Sequence, residues 1–145
     1  MHLADVEATE AFGRTLAGVL AVGDVVALSG PLGAGKTALA RGVLAGLGHT
    51  GDAPSPTFPL VIPYFETRLP VWHVDLYRLD SADDAEELGL DDALADGALL
   101  IEWPERLGTR LGPQALRIAL AVAPDGGRDL TAAVPSVWEP RWPPR

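Results

Sequence analysis

The sequence predicts a single α/β domain, in which a mostly parallel β-sheet is flanked by helices and ends in an antiparallel C-terminal hairpin. Three observations lead to this fold class. The chain has 145 residues, 48% of them apolar, which suits one domain with a substantial core. Helix-like and strand-like segments alternate along most of its length. Two strand-like runs around Asp125-Gly126-Gly127 then form a hairpin pattern.

The first elements follow from hydrophobic spacing and turn residues. Apolar residues at helical spacing predict an amphipathic first helix that ends at Gly23. The run VVALS at residues 25–29 predicts a buried strand, and ALARGVLAGLG predicts a second helix that closes at Gly48. After a loop rich in Pro and Gly, the runs PLVIPYFE and PVWHVDLY predict two more strands.

The later elements are predicted in the same way. Ser81, with Asp84 three residues on, predicts a capping box that opens an acidic helix. The run ALLIEW predicts another buried strand ahead of the hairpin. The proline-rich and tryptophan-containing tail, residues 136–145, is expected to be loosely ordered, which places the folded domain at residues 1–135.

Composition and charge exclude several classes of protein. The absence of cysteine excludes disulfides and thiolate metal sites. No apolar stretch approaches the ~20 residues of a membrane span, and the start of the chain is acidic where a signal peptide would be basic. We therefore expect a cytoplasmic protein with no membrane contact.

The net charge of −9 comes almost entirely from one segment. Residues 75–96 hold nine acids and one base, a balance of −8. No basic stripe accompanies this segment, which argues against direct nucleic-acid binding. The acidic run is open to two interpretations, a solvated helix face or a docking surface for a basic partner.

A phosphate-binding loop follows the first predicted strand. GPLGAGKT at residues 30–37 satisfies the pattern GxxxxGK[ST] between a strand and a helix. Gly33 and Gly35 allow positive φ, so the backbone N–H groups around Ala34 can turn toward phosphate oxygens. Lys36, the only lysine among eleven cations, supplies a mobile charge for the β and γ phosphates. The Thr37 hydroxyl can ligate Mg²⁺.

The nucleotide is expected to be ATP. Proteins that recognise GTP with a loop of this kind usually read guanine with an Asn-Lys-x-Asp motif, and this chain has no asparagine and no second lysine. Nothing in the sequence positively identifies an adenine pocket.

Hydrolysis of ATP needs a second carboxylate and a group that senses the γ-phosphate. Glu102 follows four apolar residues and fits the strand-end position of a metal-binding acid best, with Asp75 as the second candidate. Thr57, in the segment SPTF, offers a hydroxyl in a region where such proteins keep a γ-phosphate sensor. Ordinary strand-end acids and an ordinary turn remain the alternatives.

Four segments taken together resemble one protein family. They are GPLGAGKT, SPTF, HVDLYR at residues 73–78 and IEWPE at residues 101–105, in this order. In these the chain is similar to the bacterial TsaE family, also called YjeE, the ATPase component of tRNA threonylcarbamoyladenosine synthesis. The resemblance runs from about Ala4 through Glu105 and implies a small P-loop fold.

The resemblance also implies roles for particular residues. Residues 33–37 would hold the phosphates, Thr37 and Glu102 would ligate Mg²⁺, and Thr57 would belong to the γ-phosphate-sensing loop. Asp75 would be an essential acid of open role, either in water positioning or in the second shell of Mg²⁺. The remaining assignments are Thr9 near the adenine, Trp103 beside the site, and His73, Tyr77 and Arg78 in support of it.

The chain also departs from the family. Ala38 occupies a nucleotide-binding position where many relatives carry a second Thr or Ser, and Pro31 replaces the usual Asp.

The activity implied is Mg²⁺-dependent ATP hydrolysis, weak alone and active in a complex with TsaD and TsaB. Those proteins would transfer the threonylcarbamoyl group to the adenosine beside the anticodon of tRNAs reading codons that begin with A. ATP hydrolysis would support turnover, with no direct tRNA binding by this chain alone. Two alternatives remain open from the residues, a small-molecule kinase and a nucleotide-gated binding subunit without turnover.

Overall fold

The computed structural model describes residues 1–56 and 60–145, and all seven of its strands join one sheet. The strands are β1 His2–Leu3, β2 Val25–Ser29, β3 Val61–Tyr64, β4 Val71–Asp75, β5 Ala98–Glu102, β6 Leu116–Val122 and β7 Arg128–Ala133. The α-helices are α1 Val6–Ala17, α2 Lys36–Gly46 and α3 Leu90–Leu94. Three 3₁₀ segments, Ala82–Leu88, Pro104–Arg110 and Glu139–Arg141, complete the described elements.

The centre of the sheet is parallel, and its edges are antiparallel. The strand order is β1-β7-β6-β2-β5-β4-β3. Strands β6, β2, β5 and β4 run parallel to one another, whereas β7 pairs antiparallel with β6 and with β1, and β3 pairs antiparallel with β4. The predicted fold class, including the C-terminal hairpin, is confirmed. The short edge strand β1 was not predicted, because a strand of two residues is too short to show an alternation of apolar and polar side chains.

The two faces of the sheet are covered differently. Helices α1 and α2 pack on one face, over a cluster that includes Leu28, Leu100 and Ile118. The opposite face carries a second cluster, with Val74, Leu99 and Ile101, and is covered by α3 and the first two 3₁₀ segments. The alternation of side chains along each strand therefore decides which residues face the α2 side, where the phosphate-binding loop lies.

Two of the predicted helix boundaries are wrong. Helix α1 ends at Ala17 and not at Gly23. Residues beyond it form turns, in which the Asp24 carboxylate accepts from the Ala21 N–H at 2.7 Å, and Leu20 stays buried although the chain has left the helix. Because buried Leu20 continues the helical spacing of apolar residues, the sequence pattern predicts a longer helix than the one that forms.

The predicted capping box also does not form. Ser81 precedes a 3₁₀ segment and not an α-helix, and its side chain makes no capping bond. The Asp84 N–H, which a capping serine would satisfy, instead donates to the Ser81 carbonyl at 3.1 Å. A left-handed Gly89 then separates this segment from α3, so the acidic stretch is two short elements.

The C-terminal tail does not have the loose arrangement that its composition predicts. Trp138 is fully buried within the α1–α2 cluster, and Trp142 contacts Phe12 edge-on. Arg141 pairs with Asp24 at 2.6 Å and lies over the Trp138 ring. The tail is therefore part of the folded unit.

Within the part of the chain that the structure describes, none of the helices has the length and apolar character needed to cross a bilayer.

Candidate functional site

The phosphate-binding loop connects the end of β2 with the first residue of α2. Gly30, Gly33 and Gly35 all have positive φ, at 143°, 78° and 102°. Side chains at such positions are strained, so the loop depends on glycine, as predicted for Gly33 and Gly35. The loop ends at the N-terminus of α2, where free backbone N–H groups favour an anion.

Lys36 lies inside this loop, almost fully buried. Its ammonium donates to the carbonyls of Gly30 at 2.5 Å and Pro31 at 2.9 Å. It also lies 4.3 Å from the centroid of the Trp103 ring. Burial lowers the pKa of Lys36, although the neighbouring carboxylate of Glu102 acts against this shift. The ammonium thus satisfies two of the loop's own carbonyls.

Thr37 and Glu102 meet at the end of the parallel strands. The Thr37 hydroxyl donates to the Glu102 carboxylate, with its Oγ1 3.0 Å from Oε1 and 3.2 Å from Oε2. Glu102 is 3% exposed, at the last position of β5. A hydroxyl and a buried carboxylate oxygen in contact at the start of α2 are the oxygen ligands that suit Mg²⁺ held mainly by a nucleotide's phosphates. The pair predicted as metal ligands is therefore brought together and fits that ion.

The second predicted acid, Asp75, ends the neighbouring strand. Asp75 and Glu102 are partners in the β4–β5 register, so both carboxylates lie at the same edge of the sheet. Asp75 is buried, and one of its oxygens accepts from the Tyr77 N–H at 2.9 Å. The two candidate acids thus converge on one position beside the loop.

One aromatic ring, that of Trp103, lies beside the Lys36 ammonium, and a second packs against it. Trp103 has a left-handed backbone, with φ of 60°, directly after Glu102. Its ring lies 4.9 Å from that of Tyr77, and the Arg106 guanidinium lies over the Tyr77 ring. Trp103, expected beside the site, is therefore placed there, and Tyr77, expected to support the site, packs against Trp103.

Three further predicted residues, Thr9, Ala34 and Ala38, lie in or beside the loop. The Cβ that Gly35 lacks would lie 3.8 Å from the Thr9 methyl, so buried Thr9 borders the loop. Ala34 is buried within the loop, and Ala38 is half-buried in the first turn of α2. Thr57 lies outside the described residues.

Sequence reasoning missed Arg128, at the start of β7. Its guanidinium donates to the carbonyls of Ala34 and Gly33, each at 2.9 Å, and to those of Gly126 and Gly127. Arg128 thereby ties the hairpin turn to the loop from the outside. No sequence signal could have found it, because the contact joins residues more than ninety positions apart.

Comparisons with known proteins identify the family of this chain. The family model for the threonylcarbamoyl adenosine biosynthesis protein TsaE matches residues 3–130. The chain belongs to the TsaE family. It is 38% identical over 126 residues to the tRNA threonylcarbamoyladenosine biosynthesis protein TsaE of Bacillus subtilis, covering 86% of this chain and 78% of that protein.

Other relatives and a solved structure support the same assignment. A protein of the same name from Streptomyces coelicolor is 45% identical over 111 residues, covering 74% of this chain and 75% of the relative. The crystal structure of Bacillus subtilis YdiB superposes with a TM-score of 0.82 at 33% identity, covering 96% of this chain and 87% of YdiB. The fold of YdiB is thus reproduced over nearly all of this chain.

Proposed function

We propose that this TsaE protein is a Mg²⁺-dependent ATPase that acts with TsaD and TsaB in threonylcarbamoylation of tRNA. The observation that carries the proposal is the contact between Thr37 and Glu102 beside the glycine loop. A hydroxyl, a buried carboxylate and a buried lysine at a helix N-terminus form a site that favours a triphosphate with its metal ion.

Each residue has a definite task in this proposal. The loop N–H groups bind the phosphates, and Lys36 moves from the Gly30 and Pro31 carbonyls to phosphate oxygens. Thr37 and Glu102 would hold Mg²⁺, which neutralises charge on the phosphates when bound. Water attacks the γ-phosphorus, the bond to the β–γ bridging oxygen breaks, and ADP, phosphate and a proton leave. Asp75 is the remaining carboxylate placed to orient that water or a water on the metal.

The surface charge supports a protein partner and argues against tRNA as the direct ligand. Asp75 belongs to the site, and the other eight acids of residues 75–96 are all exposed. Arg110 pairs with two of them, Asp83 and Glu86. An exposed acidic surface repels phosphodiester and attracts basic protein surfaces. We therefore assign tRNA contact to TsaD and TsaB.

Phosphate release from ATP tests the proposal. The purified chain is assayed alone and with TsaD and TsaB, with no added acceptor. We expect slow release alone, stimulation by the partners, and, in Glu102→Gln, loss of turnover with nucleotide binding retained at saturating Mg²⁺. Glu7→Gln, an exposed acid of α1, is the control. Transfer of the γ-phosphate to a metabolite would instead support a kinase, and no ADP formation in the full complex would support a nucleotide-gated subunit.

A further inference from the structure

His73 is a buried titratable residue to which the proposed reaction assigns no task. Its ring Nε2 lies 2.6 Å from Oε2 of Glu102, and the two side chains are 0% and 3% exposed. Its other nitrogen, Nδ1, is buried with no hydrogen-bond partner among the described residues. Among the residues that the structure describes, the imidazole thus makes one polar contact, and that contact is to the proposed metal ligand.

The strand register explains why these two side chains meet. His73 pairs with Leu100 across β4 and β5, and Glu102 lies two residues beyond Leu100 on the same face. That face is the one covered by α1 and α2, where the loop lies. A diagonal pair on neighbouring strands lies within reach of long side chains, so the backbone presents the imidazole to the carboxylate.

The environment of the ring selects one tautomer. A carboxylate only accepts hydrogen bonds, so the proton lies on Nε2. A proton on Nδ1 would be buried without an acceptor, which is costly. The contact therefore uses an Nε2–H, which acts as a fixed donor to Glu102.

Glu102 has other groups that compete for its oxygens. The Thr37 hydroxyl lies within hydrogen-bond distance of both of them, and Lys36 is attracted electrostatically from inside the loop. With no fixed donor on Oε2, the carboxylate could turn toward either group. A carboxylate held on one oxygen presents the other in a constant direction.

We propose that His73 is a positioning residue, whose Nε2–H holds Oε2 of Glu102 so that Oε1 stays beside Thr37 for the metal ion. This inference rests on the proposed function, because it assigns Glu102 to Mg²⁺.

Two amide substitutions separate this role from simple packing. In His73→Gln the amide nitrogen lies as many bonds from Cβ as Nε2 does in histidine, so a donor can still reach Glu102. In His73→Asn the amide occupies the Nδ1 position and cannot reach it. His2→Asn, at an exposed histidine, is the matched control. Circular dichroism and thermal unfolding report whether each variant folds.

The readout is the Mg²⁺ concentration that gives half-maximal binding of the non-hydrolysable analogue AMPPNP. We expect His73→Asn to raise it by about 10-fold or more, the usual cost of losing a residue that orients a metal ligand. His73→Gln is expected to stay within about 3-fold of wild type, and affinity in EDTA is expected to be unchanged in both. Equal impairment of both variants, or a wild-type Mg²⁺ dependence in His73→Asn, would overturn the positioning role alone.

Two further outcomes keep the inference separable from the proposed function. If wild-type binding of AMPPNP does not depend on Mg²⁺, the proposed metal role fails and the positioning role fails with it. Nitrogen NMR of the histidine rings, in the protein without nucleotide at neutral pH, needs no metal and no variant. We expect His73 to carry a proton on Nε2, and a ring protonated on Nδ1 alone would overturn the inference.

Discussion

At the scale of single residues, the buried position of Lys36 explains why the chain has one lysine among ten arginines. Ten of the eleven cations are arginine, so arginine serves wherever a charge on the surface suffices. Lys36 is instead buried, between two loop carbonyls and the Trp103 ring. A compact ammonium on a flexible stem fits this space and can move to phosphate, whereas a planar guanidinium is larger and rigid.

We therefore predict that Lys36→Arg strongly lowers ATP turnover although it keeps the charge. Phosphate release should fall by at least about 10-fold, since the guanidinium does not fit the loop. The matched control is Arg14→Lys, the reverse exchange at an exposed position of α1, which should retain full activity. Near-normal turnover in Lys36→Arg would contradict the role given to the ammonium.

At the scale of elements, the contact between α1 and α2 depends on glycine. A Cβ on Gly42 would collide with the Glu10 carbonyl, and one on Gly13 would collide with the Leu39 carbonyl. The backbones of the two helices therefore approach closely at these positions. This contact also fixes α2, which carries Lys36 and Thr37 at its start.

Gly42→Ala is expected to destabilise the fold by about 1–3 kcal/mol, because the methyl group forces the helices apart. Urea unfolding measures the change in the free energy of unfolding. Gly112→Ala is the control, since its Cβ would meet nothing within 4 Å, and it should change stability by less than about 0.5 kcal/mol. Equal stability of the two variants would show that the helix contact tolerates a side chain.

The loop after α2 is anchored by His49. Its ring contacts the Asp52 carbonyl at 2.9 Å and the Glu66 carboxylate at 2.6 Å. These two contacts, with Asp52 the larger cause, raise the pKa of His49 above 6.5. Protonated His49 therefore stabilises the fold fully below pH 6.5, and this stabilisation is lost as the pH rises through the folded-state pKa.

We predict that the difference in thermal stability between wild type and His49→Gln is largest below pH 6.5 and shrinks toward pH 9. Melting temperatures of both proteins across this range measure it, with Glu7→Gln, at an exposed position of α1, as a control. A difference that grows with pH would contradict the sign of the shift.

The elements also show how far sequence reasoning reaches. Strand β2 was predicted at its observed bounds, and β5 lies within its predicted run, because buried parallel strands read as unbroken apolar runs. The loop and its partner Glu102 were predicted because phosphate and metal chemistry limits the residue types that can serve. The predicted Ser81 cap does not form because the Asp84 N–H donates to the Ser81 carbonyl in a 3₁₀ turn. The contacts of Arg128 and of His73 with Glu102 depend on the strand register, which a single sequence does not reveal.

At the scale of the whole molecule, the tail closes the domain. Trp138 is fully buried, and Arg141 forms an ion pair with Asp24 in the turns that follow α1. These two contacts hold the tail against the rest of the domain.

We predict that Trp138→Ala lowers the free energy of unfolding by about 3–5 kcal/mol, the usual cost of deleting a buried aromatic. Val137→Ala, at a neighbouring side chain that is 49% exposed, should cost less than about 0.5 kcal/mol. A small effect of Trp138→Ala in urea unfolding would show that the tail is loosely ordered, as its composition predicts.

In the proposed function, ATP hydrolysis at the Thr37–Glu102 site supports turnover of the tRNA-modifying complex and not the transfer itself. The most direct measurement combines this protein with TsaD, TsaB, tRNA, ATP and the threonylcarbamoyl-adenylate donor, and counts modified adenosines per complex over time. We predict many turnovers with the wild-type protein and at most about one with Glu102→Gln. Continued turnover with Glu102→Gln, at the wild-type rate and without ADP formation, would contradict the account.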